Sequence, residues 1–172
     1  MPSPDLDAWL PEPLLRTRHQ RTAQASDAEI WTAAQAIRVR DTRTLGRLVR
    51  WRIPGTPTDM TYGELFRSAP FTVLTEGESC LVSGLVGRIW TLERDYPRLD
   101  GADAFRAWDE PASAKVLFAH WVERGTLHSE ARVAATDRRA GLRLRALWTV
   151  VGPFERLIGG EALHLAVGRA DG

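Results

Sequence analysis

The 172-residue sequence has one cysteine, Cys80. A single thiol cannot close an internal disulfide and cannot supply the thiolates of a structural zinc site. Lysine is as scarce, Lys115 being alone, so nearly all positive charge is arginine. The 23 basic residues stand against 22 acidic ones, a net charge of +1, which gives no global pull toward nucleic acid. No apolar run approaches the roughly 20 residues of a membrane span. Residues 1–13 carry acids and prolines where a secretion signal needs a basic start and an apolar run, so a cytoplasmic location is expected. Glycine-rich phosphate loops, metal-ligand spacings and a nucleophile elbow are all missing, so neither a metal nor a cofactor is expected. Internal repeats and low-complexity tracts are missing too.

What is present suits one domain with a real core, at 44% hydrophobic and 26% charged residues. Pro2, Pro4, Pro11 and Pro13 keep residues 1–13 irregular, a loose lead-in on which Trp9 can still dock. Residues 14–172 then form a single domain. Partial alternation over 14–23 predicts a first strand. Ser26 and Glu29 make a capping box with Ala25 and Ile30 at the staple positions, which predicts a helix running through Trp31 and Ala34 toward Val39. A second helical piece is expected over 42–51, before the break Ile53-Pro54-Gly55-Thr56-Pro57. Thr61 and Glu64 repeat the capping box and open one short turn.

From residue 71 the texture changes. Strands are expected at 71–76 and 79–90, with Gly84 and Gly87 suggesting a bulge or strong curl. A short helical piece falls within 102–108. Strands at 114–123 and 126–135 are joined by Arg124-Gly125, a hairpin signal. In the last stretch, 136–170, Leu144, Leu147, Trp148, Val151, Phe154, Ile158 and Leu165 recur mostly at spacings of three, four or seven. They form one stripe of a long helix capped by Thr136 or Asp137. Pro153 predicts a kink in it, and Gly159-Gly160 allow close approach. The fold class is therefore α+β: a curved antiparallel sheet wrapped around a long C-terminal helix, with two shorter helices after the first strand.

This order resembles the helix-grip, or START-like, superfamily (SRPBCC; pollen-allergen-like) over residues 15–170, and within it a bacterial branch. The stretches that carry the resemblance are Phe71 to Glu76, Leu85 to Trp90, Asp109 to Lys115 and Glu130 to Asp137, with Trp148 and Pro153 on the final helix. None is a catalytic signature. The resemblance implies a hydrophobic cavity between sheet and last helix. Members of the superfamily bind lipids, sterols or aromatic polyketides, some act as cyclases or aromatases, and others couple to partner proteins. This chain departs from the pattern where Gly159-Gly160 replace basic residues and where His120 replaces an aromatic.

His120 shares a strand face with Val116, Phe118 and Val122, so it should point inward. There it can donate to a ligand oxygen, act as general acid or base, or serve as a satisfied core histidine. Arg88 and Trp90 share parity, and an inward Arg88 would anchor a carboxylate or phosphate with Trp90 stacking beside it. Glu130 and Arg132 are expected to pair on a solvated face. Glu64 is explained by its cap. Arg38, Arg40, Arg43, Arg47, Arg50 and Arg52 face only Asp41, either as a solvated helix surface or as a patch for an acidic partner, an anionic membrane or RNA.

The favoured reading is a protein that binds a hydrophobic or aromatic small molecule, lipid-like or polyketide-like, without chemistry. Its expected contacts are Arg88, Trp90, Phe118, His120, Trp148, Val151 and Phe154. One alternative is a cyclase/aromatase-like enzyme using His120. Another is a protein or nucleic-acid interaction module using the Arg38 to Arg52 stretch, although the charge balance speaks against nucleic acid.

Overall fold

In the computed structural model, residues 3–94 and 96–172 are described, without the side chains of 153–159. Five antiparallel strands form one sheet: β1 (Leu15–Thr22), β2 (Thr72–Gly77), β3 (Cys80–Gly87), β4 (Ala114–Glu123) and β5 (Thr126–Ala135), in the order β1-β5-β4-β3-β2. Five helices accompany it: α1 (Asp27–Ala36), α2 (Thr44–Arg52), α3 (Tyr62–Leu65), α4 (Ala102–Ala107) and α5 (Arg138–Ala170). The long α5 packs on the sheet, against β1, β5, α1 and α2. This is the expected α+β, helix-grip arrangement.

Local chemistry sets most boundaries. Both capping boxes form: the Glu29 N–H donates to Ser26 Oγ and the Ser26 N–H to Glu29 Oε2, and Thr61 and Glu64 exchange the same pair of bonds. α1 stops at Ala36, short of Val39, because Ile37 is extended and a 3-10 turn, Val39–Asp41, follows. The β4–β5 turn holds Arg124 and Gly125 both at positive φ, 52° and 73°, the pairing that a tight two-residue hairpin requires. α5 begins where expected, with Asp137 accepting the Ala140 N–H at 2.7 Å.

α2 has no cap of its own: Arg43 precedes it without a side-chain acceptor. Glu161 of α5 fills that place, its carboxylate accepting the N–H groups of Arg43 at 2.5 Å, Thr44 at 3.1 Å and Leu45 at 2.9 Å. A carboxylate at a helix N-terminus satisfies orphan donors and complements the helix dipole. Gly46 lets α2 lie close to the preceding turn, since a Cβ there would stand 2.1 Å from the Val39 carbonyl oxygen. Asp171 similarly accepts the N–H groups of Gln24 and Ala25, tying the end of α5 to the start of α1.

The sheet is covered on both faces. On its inner face, Leu81, Val122 and Leu127 pack with Ile30, Trp31, Leu163 and Ala166. On its outer face, Val82, Val86, Leu117, Ala119 and Trp121 pack under Leu6, Leu10 and Phe105. The lead-in is irregular but docked: Leu6 and Leu10 are buried, and the Trp9 indole N–H donates to Thr75 Oγ1.

That docking corrects the expectation for Glu130 and Arg132. They do pair, Arg132 Nε donating to Glu130 Oε1 at 2.7 Å, but both are buried rather than solvated. They sit on the outer face beneath the lead-in, where Asp7 meets the Arg132 guanidinium and Arg16 meets Glu130. Burial pushes the Glu130 carboxyl upward. The hydrogen bonds from Arg16 and Arg132 outweigh it, and the group ends below the usual carboxylate range.

Candidate functional site

Strand register assembles the floor of the site. Partnered residues in an antiparallel sheet face the same side, so three rows cross the inner face. The first is Leu85–Val116–Val133–Leu15, the second Ser83–Phe118–Ala131–Thr17, and the third Leu81–His120–Ser129–His19. Opposite this floor, Leu144, Leu147, Trp148 and Val151 of α5 form a roof, and Leu45, Leu48 and Val49 of α2 form a side wall. Between them lies a cavity of about 420 Å³.

The wall is mainly apolar and rich in rings. Phe66, at the end of α3, stands 5.0 Å from Phe71, 5.5 Å from Phe118 and 4.7 Å from His120, centre to centre. Ser83 fixes this cluster by donating to the Phe66 carbonyl at 2.7 Å. Tyr62 closes the same end, its hydroxyl 2.6 Å from Thr42 Oγ1, and burial pushes its phenol up to about 12. At the opposite end Arg52 spans from α2 to the loop after β3. It donates to the carbonyls of Ile89 and Thr91 and to the Tyr96 hydroxyl.

His120 points into the cavity. Its side chain keeps some accessible surface only because it borders the hollow; protein surrounds it on every side. Burial alone lowers its pKa to about 4, so the imidazole is neutral near pH 7, with one nitrogen donating and the other accepting. Among the described residues it lies against Phe66, the two rings tilted by 45°, and makes no hydrogen bond.

Phe118, Trp148 and Val151 also stand in the cavity wall, whereas the Phe154 side chain, like the kink expected at Pro153 and the roles expected of Ile158 and Gly159, lies outside the described residues. Arg88 and Trp90 are not in the wall. β3 ends at Gly87, whose φ is 135°, and the inward parity of Leu81, Ser83 and Leu85 continues to Ile89, leaving Arg88 and Trp90 with the opposite parity. Trp90 lies near the Arg143 guanidinium, 5.8 Å from its ring centre. Arg52 was read from sequence only as part of the basic stretch, and Tyr62, Phe66 and Ser129 were not singled out as site residues. Only the register, which pairs Ser129 with His120, could have drawn out Ser129.

The arginines from Arg38 to Arg50 are exposed, and Arg40, Arg43, Arg47 and Arg50 surround a second, surface depression on the far side of α2. Among the described residues no cluster of His, Cys, Asp and Glu could hold a metal ion, and no helix is long and apolar enough to cross a membrane.

No protein-family model matches the chain, and neither does any curated protein sequence. Among solved structures, CalU16 from Micromonospora echinospora is similar over 90% of this chain and 82% of its own, at 16% identity and a TM-score of 0.34. The di-domain ARO/CYC BexL from the BE-7585A biosynthetic pathway is similar over 96% of this chain, at 11% identity and a TM-score of 0.30; the match takes in 53% of BexL. What the site can hold follows from its own geometry.

Proposed function

We propose that this protein binds a hydrophobic or aromatic small molecule, lipid-like or polyketide-like, in the cavity between the sheet and α5. The observation that carries the reading is the hollow itself: about 420 Å³ walled mainly by aliphatic and aromatic side chains. Small-molecule sites run from roughly 300 to 1,000 Å³, apolar with a few placed polar groups. A void of this size in a close-packed protein forfeits packing and survives where something fills it. The Phe66, Phe71 and Phe118 cluster offers edges and faces to a flat ring system. Binding is favoured over cyclase/aromatase-like turnover because an imidazole whose pKa is about 4 is poorly matched to acid–base work near neutrality.

Titration with 1-aminoanthracene, a neutral fluorescent ring system, tests this. Saturable enhancement is expected, and Ala131→Phe, which projects a ring from the floor, should weaken it at least tenfold while leaving the circular dichroism unchanged. Absence of saturation, or equal binding by the filled variant, would remove the reading.

A further inference from the structure

The cavity floor is apolar in its first row, mixed in its second and polar in its third, where His120 of β4 and Ser129 of β5 are direct partners in register. Directly opposed side chains have Cβ atoms roughly 5 Å apart, so both polar tips can reach one small group lying between them. On the other flank of Ser129 stands His19, also in the wall. The pair is at the inner end of the hollow. One row further on the hollow closes against apolar side chains, Leu127, Leu163 and Ala166 lining its last part and Val122 lying in the packed core.

Charge is distributed in the opposite sense. Arg52 is the charged side chain in the described wall, and it is held at the Ile89 end. Ile89 lies beyond Leu85, which is level with Val116, and Val116 is four residues from His120, roughly 13 Å along the strand. The inner end therefore offers a serine hydroxyl and the neutral His120 imidazole, and among the described wall residues no arginine or lysine stands there to offset a buried anion.

Resting on the proposed binding function, we infer that His120 and Ser129 form a two-point recognition site for a single uncharged oxygen function, a hydroxyl or carbonyl, on an otherwise apolar ligand. Such a ligand enters with its oxygen-bearing edge toward the inner end and its apolar body against Phe66, Phe118 and Trp148. The preference comes from the cost of burying polar groups: a ligand lacking the oxygen leaves the pair unsatisfied, and a carboxylate arrives far from the Arg52 guanidinium.

Three probes of the same ring system separate the possibilities: naphthalene, 1-naphthol and 1-naphthoate, each measured by competition against bound 1-aminoanthracene at pH 7. The wild-type protein should bind 1-naphthol about five- to tenfold more tightly than naphthalene and at least about tenfold more tightly than 1-naphthoate. In Ser129→Ala and His120→Phe the preference for naphthol over naphthalene should shrink toward one while naphthalene binding persists, which also verifies that each variant folds. Equal wild-type binding of naphthol and naphthalene, a preference untouched by both substitutions, or naphthoate binding as tight as naphthol would each overturn this inference and leave the cavity reading standing. Failure of every probe to bind would overturn both.

Discussion

At the scale of single residues, His120 couples ligand recognition to stability through its protonation. The folded protein holds it neutral down to about pH 4, whereas the unfolded chain takes up the proton near pH 6.5. The unfolded state therefore binds more protons across that window, and stability must fall as pH drops from about 6.5 toward 4. The contribution is at most about 3–4 kcal/mol, from roughly 1.4 kcal/mol per pKa unit. His120→Phe removes it, so denaturant midpoints at pH 7 and pH 5 should lie closer together in the variant than in the wild type. Other acid-sensitive groups act on both proteins alike. Asp7, lowered first by its hydrogen bond from Arg132, and Glu130 contribute above the ordinary carboxylate range, and lose that contribution only as pH falls below it.

At the scale of elements, α2 depends on α5 for its start. Glu161→Ala leaves the N–H groups of Arg43, Thr44 and Leu45 without their acceptor, and should cost about 1–2 kcal/mol. Hydrogen exchange should locate the loss, with amides of α2 losing protection before those of β4. A sequence pattern exposes only the caps that are local. The boxes at Ser26 and Thr61 were legible because both partners fall within four residues; Glu161 was not, because its partners lie on another helix. The same distinction separates the strands. Alternation in β4 was enough to turn His120 inward, since Val116 and Phe118 agree with it. In the segment 88–90 the shared parity of Arg88 and Trp90 was real but belonged to the other side: counting on from Leu81, Ser83 and Leu85 gives the inward place to Ile89. Glu130 and Arg132 read as solvent-facing by type. Alternation assigned them a face, but nothing in it revealed that the lead-in covers that face.

At the scale of the whole molecule, the sheet is a partition with a packed outer side and a partly hollow inner side. The amphipathic stripe of α5 announced that the helix would lie on the sheet; how far it stands off depends on Phe66, Tyr62 and α2, which the stripe does not contain. The outer side is closed by the lead-in, and Leu10→Ala should cost about 2–4 kcal/mol although the residue belongs to no regular element. Thermal unfolding should show the loss, and 1-aminoanthracene affinity should change little, because Leu10 is across the sheet from the cavity. The register of β1 has a further consequence for how the protein is made. Leu15 is synthesised before its partner Val133, and the cap of α2 and the tie before α1 wait later still for Glu161 and Asp171. A nascent chain emerging from the ribosome must keep its first strand single until the hairpin of β4 and β5 arrives, so closure of the hollow waits for more than a hundred further residues and exposes β1 to stray pairing until then.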